Sequence, residues 1–152
     1  MGLSVAPGQS NPSSHRRTIS TALRKVENRL VITRVFVVDD DRVIASTTAA
    51  ILELSGYEAR FFVNPLEALE AARTVRPDLI IADVIMPGLS GIDLAVLLWE
   101  QCPTCKVMLL SGQIETTDLL ESASKQGHHF EVLAKPIHPD QLVARIRDAV
   151  AA

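Results

Sequence analysis

Hydrophobic residues occur along the chain in short runs that alternate with longer amphipathic stretches. The runs, rich in β-branched side chains, cover residues 35–38, 57–62, 79–82, 106–110 and 130–134. Short runs of this kind are typical of strands that are buried on both faces of a sheet. Between them, apolar residues recur at helical spacing. Alternating strands and helices predict an α/β fold, a doubly wound five-stranded parallel sheet with helices on both faces.

Local signals mark the ends of the helices. Asp41, Asn64 and Ser90 are predicted N-caps, because a short polar side chain can accept hydrogen bonds from the first helical turn. Gly56 is predicted to end the helix that Asp41 begins. In that helix the predicted inward face consists of Val43, Thr47, Ala50, Ile51 and Leu54.

The two helices nearest the C-terminus differ in strength. A weaker helix is predicted over residues 114–125, and a last helix begins at Pro139. The apolar face of the last helix consists of Leu142, Val143, Ile146, Ala149 and Val150.

The segment before the first strand, residues 1–33, is predicted to be a separate extension of the domain that spans 34–152. Residues 1–15 are rich in Ser, Pro, Gly and Asn, a composition that favours disorder. Residues 18–30 place apolar side chains at helical spacing among Arg and Lys. Two interpretations stay open for this stretch: a frayed basic tail, or an amphipathic helix that packs on the domain or on a second copy.

The net charge of −3 is unevenly distributed. Residues 1–34 carry six Lys and Arg against one Glu, which leaves nine basic and seventeen acidic residues in 35–152. The acidic domain argues against direct binding of nucleic acid. No apolar run approaches the roughly 20 residues of a membrane span, and no signal-peptide pattern opens the chain. These observations predict a cytoplasmic protein without a membrane partner.

Polar side chains follow four of the five predicted strands. They are Asp39 and Asp40, Asp83, Ser111 and Lys135. Because ligands of doubly wound sheets bind at the carboxyl ends of the strands, these side chains are expected to share one site. Three carboxylates suit Mg²⁺, and a carboxylate can attack a phosphoryl group. A lysine and a serine hydroxyl can bind phosphoryl oxygens.

Four motifs carry a family resemblance. They are Val37-Val38-Asp39-Asp40-Asp41, Asp83-Val84-Ile85-Met86-Pro87-Gly88-Leu89-Ser90-Gly91, Leu109-Leu110-Ser111-Gly112 and Ala134-Lys135-Pro136. Their types and order resemble the receiver domain of two-component response regulators, of the chemotaxis-regulator kind, over about residues 34–152. The resemblance implies a flavodoxin-like sheet with strand order 2-1-3-4-5, either as a stand-alone receiver or as one cut from a larger protein.

The resemblance implies a role for each motif residue. Asp83 is the implied phosphoacceptor, with Mg²⁺ held by Asp83, Asp40 and the backbone carbonyl of Ile85, and by Asp39 through water. Ser111 is the implied switch hydroxyl, Gly112 leaves room for the phosphodonor, and Lys135 pairs with the phosphoryl group. The implied structural positions are Pro87, Gly88 and Pro136, the last of them able to take a cis bond.

The same resemblance implies a phosphorelay rather than ordinary enzyme activity. The domain takes a phosphoryl group from a histidine kinase or phosphotransfer protein and switches its surface toward a downstream protein. It catalyses only its own Mg²⁺-dependent phosphorylation and dephosphorylation. A homodimer is compatible with the sequence.

The chain departs from the family pattern at the switch. Receivers commonly carry an aromatic residue three positions before the lysine, where this chain has Val132. Phe130 lies two residues earlier and is therefore expected on the same face of the strand. The moving element is predicted to be the loop after Ser111 and the helix over 114–125, with Val132 passive and Phe130 as the second candidate.

Several alternatives stay open. Cys102 and Cys105 have the spacing of a redox or zinc pair, or are buried loop thiols; His128 and His129 are loop residues or metal ligands. Rival functions are an unphosphorylated scaffold, a flavin-binding flavodoxin relative, and a phosphatase with its nucleophile after the first strand.

Overall fold

The described strands and helices occur where the hydrophobic pattern predicts them, and each of the five strands has one boundary shifted by one residue. The computed structural model describes Gly2 and residues 33–112, 121–122, 124–125, 127 and 130–151. The strands are β1 (Arg34–Val38), β2 (Glu58–Phe62), β3 (Leu79–Asp83), β4 (Lys106–Ser111) and β5 (Glu131–Ala134). The helices are α1 (Arg42–Leu54), α2 (Pro65–Thr74), α3 (Gly91–Gln101) and α4 (Pro139–Ala151).

Some predictions concern residues outside this part of the chain. These are the predicted disorder of residues 1–15, the predicted helix over 18–30 and the predicted loop position of His128 and His129. Of the helix predicted over 114–125, residues 121–122 and 124–125 are described and are helical.

The five strands form one parallel sheet in the order β2-β1-β3-β4-β5, so the predicted strand order is confirmed. In register, Val38 lies opposite Ala82, and Asp83 lies opposite Leu110. Because all strands run in the same direction, their carboxyl ends lie along one edge of the sheet. That edge is where the sequence places its polar side chains.

Alternate residues of the central strands enter two separate cores, as the pleat requires. Phe36 and Ile80 pack with α2 and α3 on one face. Val35 and Ile81 pack with α1 and α4 on the other face. Helices therefore cover both faces, which confirms the predicted fold class. The described helices include none with the length and apolar composition that a membrane span needs.

The predicted helix ends are confirmed. The Asp41 carboxylate accepts hydrogen bonds from the N–H groups of Val43 and Ile44, at 3.0 and 3.2 Å. Asn64 and Ser90 cap α2 and α3 in the same way. Gly56 follows the end of α1 with φ 96°, a left-handed conformation that costs glycine little.

The predicted inward face of α1 is wrong. The helix buries Ala45, Ala49 and Leu52, whereas Val43 is 71% exposed and Leu54 90% exposed. The sequence of α1 has apolar residues on two faces, so periodicity alone supports both. Packing favours the face with small alanines, which allows the helix axis to approach the sheet closely.

The predicted face of α4 is correct. Leu142 and Ile146 are buried, and the remaining predicted residues, Val143, Ala149 and Val150, pack partly buried against the same core. In addition, the Lys106 ammonium group donates a hydrogen bond to the carbonyl of Ala149 in the last turn of α4. A cation at this end of a helix is favourable because it faces the negative end of the helix dipole.

Candidate functional site

The carboxyl edge of the sheet brings the predicted site residues together. Asp39 and Asp83 each lie one residue beyond the register pair Val38–Ala82, so they are neighbours on adjacent strands. Ser111 ends β4, and its carbonyl accepts a hydrogen bond of 2.8 Å from the N–H of Lys135. The register of four strands, β1, β3, β4 and β5, therefore determines this arrangement.

Lys135 joins two of the carboxylates. Its Nζ lies 2.9 Å from Asp83 Oδ2 and 3.1 Å from Asp39 Oδ2. Burial alone would lower the pKa of Lys135, but hydrogen bonds and charge from Asp83 and Asp39 outweigh it, and the pKa is raised above its ordinary value. The lysine is therefore a fixed positive charge in contact with the predicted phosphoacceptor.

Asp39, Asp40 and Asp83 form an acidic cluster whose ligand oxygens lie within 4.8 Å of one another. Asp39 is only 3% exposed, and its Oδ1 also accepts a 3.0 Å hydrogen bond from the N–H of Asp41. The N–H of Ile85 donates to Asp83 Oδ1 at 3.3 Å. These contacts orient the carboxylates of Asp39 and Asp83, and Lys135 contacts these two of the three.

The donor set of this cluster fits a hard divalent cation. Mg²⁺ prefers oxygen ligands and is bound through one or two carboxylates together with waters and phosphate oxygens. Asp40 is exposed at the edge of the cluster, so it can contribute a ligand while the other positions remain open to water and a phosphoryl group.

The first prediction concerns repulsion within the acidic cluster. Asp40→Asn removes one of three like charges, so without Mg²⁺ its melting temperature is expected to rise by about 2–4 °C, the shift for roughly 1 kcal/mol. In millimolar Mg²⁺ the wild type is expected to gain stability, and Asp40→Asn much less. Thermal denaturation with EDTA or Mg²⁺ measures both effects. An equal gain in the two proteins would contradict this assignment of Asp40.

Gly91 packs against the backbone of Asp83, a contact that the sequence did not predict. A Cβ at this position would overlap the backbone oxygen of Asp83 and lie 3.0 Å from its carbonyl carbon. The N–H of Gly91 donates to the carbonyl of Val84 at 2.9 Å. The start of α3 is therefore packed directly on the peptide group of Asp83. The only signal in the sequence was a glycine eight residues after the aspartate.

The remaining motif residues lie around this edge. Gly88 has φ 83°, so the turn after β3 uses a conformation that favours glycine, and Pro87 precedes it on the surface. The Lys135–Pro136 bond is cis. A Cβ on Gly112 would lie 3.5 Å from Cβ of Lys135, an ordinary contact. A methyl group at position 112 would therefore fit beside the lysine without overlap.

Phe130 and Val132 lie on the same face, as predicted, and both pack partly buried against the α2–α3 side of the core. The Phe130 ring stacks on Trp99 of α3, with centroids 5.0 Å apart and planes at 9°. Val132 has no aromatic ring and therefore cannot form such a stack. The stack, which the sequence did not predict, connects the last turn of α3 to the start of β5.

The chain is similar to known proteins in both sequence and fold. The sequence model for the response regulator receiver domain matches residues 35–147. The chain is 32% identical over 114 residues to the DNA-binding response regulator MtrA of Mycolicibacterium paratuberculosis, covering 75% of this chain and 49% of MtrA. It is 34% identical over 115 residues to the transcriptional regulatory protein CseB of Streptomyces avermitilis, covering 76% and 48%. The chain thus spans about half the length of these curated relatives.

Solved structures show the same fold. A response regulator receiver domain protein from Clostridium thermocellum superposes with a TM-score of 0.70 at 29% identity, covering 79% of this chain and 95% of that one. The chemotaxis protein CheY4 of Vibrio cholerae gives a TM-score of 0.69 at 25% identity, covering 78% and 98%. By its matched sequence, its strand order and its similarity to these structures, the chain belongs to the response regulator receiver domain family of two-component signalling.

Proposed function

We propose that Asp83 accepts a phosphoryl group from a histidine kinase or a phosphotransfer protein, and that this changes the surface which a downstream protein reads. The observation that carries the proposal is the contact of 2.9 Å between the Lys135 ammonium and Asp83 Oδ2, within a cluster of three carboxylates. This arrangement supplies a nucleophile, a positive charge and cation ligands at one point.

The chemistry follows from these groups. An Asp83 carboxylate oxygen attacks phosphorus, the bond from phosphorus to the donor nitrogen breaks, and an aspartyl phosphate forms. Lys135 stabilises the charge on the transferred oxygens, and Ser111 can donate a hydrogen bond to one of them. Bound at Asp40, Asp83 and the Ile85 carbonyl, with Asp39 acting through water, Mg²⁺ would supply further charge neutralisation.

The reverse step uses the same residues. Attack of water on phosphorus cleaves the phosphorus–oxygen bond to Asp83 and releases inorganic phosphate. We propose no turnover of any other substrate, so the domain acts only on its own phosphoryl group.

An unphosphorylated scaffold would not need this site. A flavin phosphate next to Asp39 and Asp41 would be repelled by their charges. A phosphatase with its nucleophile at Asp39 would leave Asp83 and the turn after it without a role.

Intact mass spectrometry tests the proposal. Incubation with phosphoramidate and Mg²⁺ is expected to add one phosphate to the wild type and to Asp148→Asn, an exposed carboxylate of α4 that serves as the matched control. Asp83→Asn is expected to remain unlabelled. Labelling of Asp83→Asn at the wild-type rate would contradict the proposal.

A phosphodonor protein must approach Asp83 within bonding distance, so it must contact the edge of the sheet. That edge carries the 43% exposed side chain of Ile44. Ile44 borders a cleft of about 400 Å³ that also includes Lys135, Pro136 and Ile137. We propose this apolar cleft as part of the surface on which the donor protein docks.

The second prediction separates docking from chemistry. Ile44→Ser is expected to lower transfer from a cognate kinase about tenfold, the loss for roughly 1.4 kcal/mol of binding, and to leave labelling by phosphoramidate unchanged. Leu54→Ser is the control, since Leu54 lies at the far end of the same helix and is 90% exposed. Equal loss in both variants, or loss with phosphoramidate as well, would contradict the assignment of the cleft.

The third prediction concerns the surface change. Phosphorylation adds about −1.5 to −2 charge at Asp83, and Ser111 can be drawn toward it. Val132 is β-branched and nearly fixed in its rotamer, so we propose that it is passive, with the stacked ring of Phe130 as the second candidate for coupling. In amide exchange with and without a phosphoryl mimic, Ser111→Ala is expected to abolish the response and Val132→Ala to preserve it. The opposite pattern would exclude this switch.

The extent and setting of the domain are also proposals. The match over 35–147 and the compact unit from Thr33 to Ala152 support a receiver domain at 34–152, with 1–33 as an extension. MtrA is a DNA-binding regulator by name, but the acidic balance of residues 35–152 disfavours DNA contact by this domain. We propose that it acts in the cytoplasm.

A further inference from the structure

The turn after α3 brings Cys102 and Cys105 close to each other, as a disulfide bond requires. Cys102 follows the helix, and the N–H of Cys105 donates a 3.1 Å hydrogen bond to the carbonyl of Cys102. This bond closes a four-residue turn, in which the first and last Cα atoms lie less than about 7 Å apart. Disulfides span Cα separations of about 4.4–6.8 Å. The turn therefore brings the two Cα atoms near the separation that a bridge needs.

The two thiols also share one environment. Both are free and only 3% exposed, and both belong to the core on the α2–α3 side. Burial, the neighbouring Cys102 and the charge of Asp78 raise the pKa of Cys105 to about 12. The influence of Cys102 on Cys105 reflects their proximity. At neutral pH the Cys105 thiol is thus protonated and reacts slowly.

A metal site is the weaker interpretation of this pair. Zinc sites need at least three protein ligands, usually four. In the part of the chain that the structure describes, the groups of three or more possible ligands consist of Asp39, Asp40 and Asp83 alone. Within the described residues the cysteine pair therefore has no third zinc ligand, which favours two-electron thiol chemistry.

We propose that Cys102 and Cys105 are a redox-modification site that closes to an intramolecular disulfide by exchange with a low-molecular-weight disulfide. One cysteine thiolate attacks the small disulfide, forming a mixed disulfide and releasing one small thiol. The second cysteine then attacks the mixed disulfide, the protein disulfide forms, and the second small thiol leaves. The two cysteines are oxidised, and the small disulfide is reduced to two thiols.

The bridge would tie the end of α3 to the start of β4. The indole N–H of Trp99 donates a 3.2 Å hydrogen bond to the carbonyl of Cys105, and its ring stacks on Phe130. Trp99 is the single tryptophan of the chain. Its fluorescence therefore reports directly on the turn, and a nearby disulfide is expected to quench it.

Incubation of the full chain with oxidised glutathione, followed by intact mass spectrometry, tests the proposal. The expected product has lost two hydrogens and carries no glutathione. It also has quenched Trp99 fluorescence and a higher melting temperature, and dithiothreitol reverses all three changes. While the attacking cysteine is mostly protonated, the rate is expected to rise about tenfold per pH unit, because its thiolate fraction does. Because the chain has two cysteines, no other thiol competes.

Cys102→Ser and Cys105→Ser are the matched variants, and each is expected to give at most a glutathione adduct. Three results would overturn the proposal: the glutathione adduct as the stable product of the wild type, a disulfide between two chains, or closure only in denaturant. Asp83→Asn is expected to oxidise like the wild type. The outcome is therefore independent of whether Asp83 accepts a phosphoryl group.

Discussion

Gly91→Ala is expected to destabilise the domain by about 3 kcal/mol, the upper end of the cost of overpacking, and to slow phosphorylation of Asp83 about 100-fold. The reason is steric. A methyl group at this position would overlap the backbone oxygen of Asp83, so either α3 or the Asp83 peptide must move. Small displacements of a reacting group are sufficient for losses of this size. Urea denaturation and phosphoramidate labelling measure the two effects.

Gly56→Ala is the matched control for that variant. Gly56 has φ 96°, and a Cβ there would meet no atom within 4 Å, so alanine is expected to cost about 1 kcal/mol through backbone strain alone. Gly56 follows the C-terminal end of α1, and Asp41 caps the opposite end. Labelling of the folded Gly56→Ala protein is expected to match the wild type. If Gly91→Ala is folded and is labelled equally fast, Gly91 does not position Asp83.

Lys135→Met is expected to produce the second large effect, a loss of about 3 kcal/mol in stability without Mg²⁺ and about 100-fold in phosphorylation rate. Removal of the ammonium leaves the buried Asp39 carboxylate beside Asp83 with no countercharge. Lys125→Met, which removes an exposed lysine, is the control. Urea denaturation in EDTA and phosphoramidate labelling again provide the measurements.

The stability effect of Lys135 has a predictable pH dependence. The raised pKa means that the folded domain holds this proton more tightly than the unfolded chain, in which lysine titrates near pH 10.4. The contribution is therefore complete below that pH and is lost as the pH rises through the folded pKa. The stability difference between wild type and Lys135→Met is expected to shrink as the pH rises above about 10.4, the unfolded value. A constant difference would indicate that the ion pairs with Asp39 and Asp83 are not its source.

Sequence patterns were sufficient for the fold because each local signal agreed with the parallel sheet. The runs that became β1 and β3 alternate between two cores, and caps such as Asp41 and Ser90 lie at the predicted helix starts. The inward face of α1 could not be predicted, because its apolar residues occupy more than one face. Only the close approach of Ala45 and Ala49 to the sheet distinguishes the buried face.

The grouping of the candidate site residues at one edge was predictable, and their geometry was less so. Strand ends placed Asp39, Asp83 and Lys135 on one edge, but the shared contact of the lysine with both carboxylates depends on strand register. The packing of Gly91 on the Asp83 peptide and the Trp99–Phe130 stack are contacts between distant elements. Neither leaves a periodic signal in the sequence.

The site of phosphorylation is the most direct test of the central claim. Phosphorylated protein can be reduced with borohydride, which converts an aspartyl phosphate to homoserine, and then digested for peptide mass spectrometry. Homoserine at position 83 alone, dependent on both phosphodonor and Mg²⁺, is the predicted result. Homoserine at Asp39 or Asp40 instead, or phosphate on a serine or histidine, would contradict the assignment of Asp83 as the phosphoacceptor.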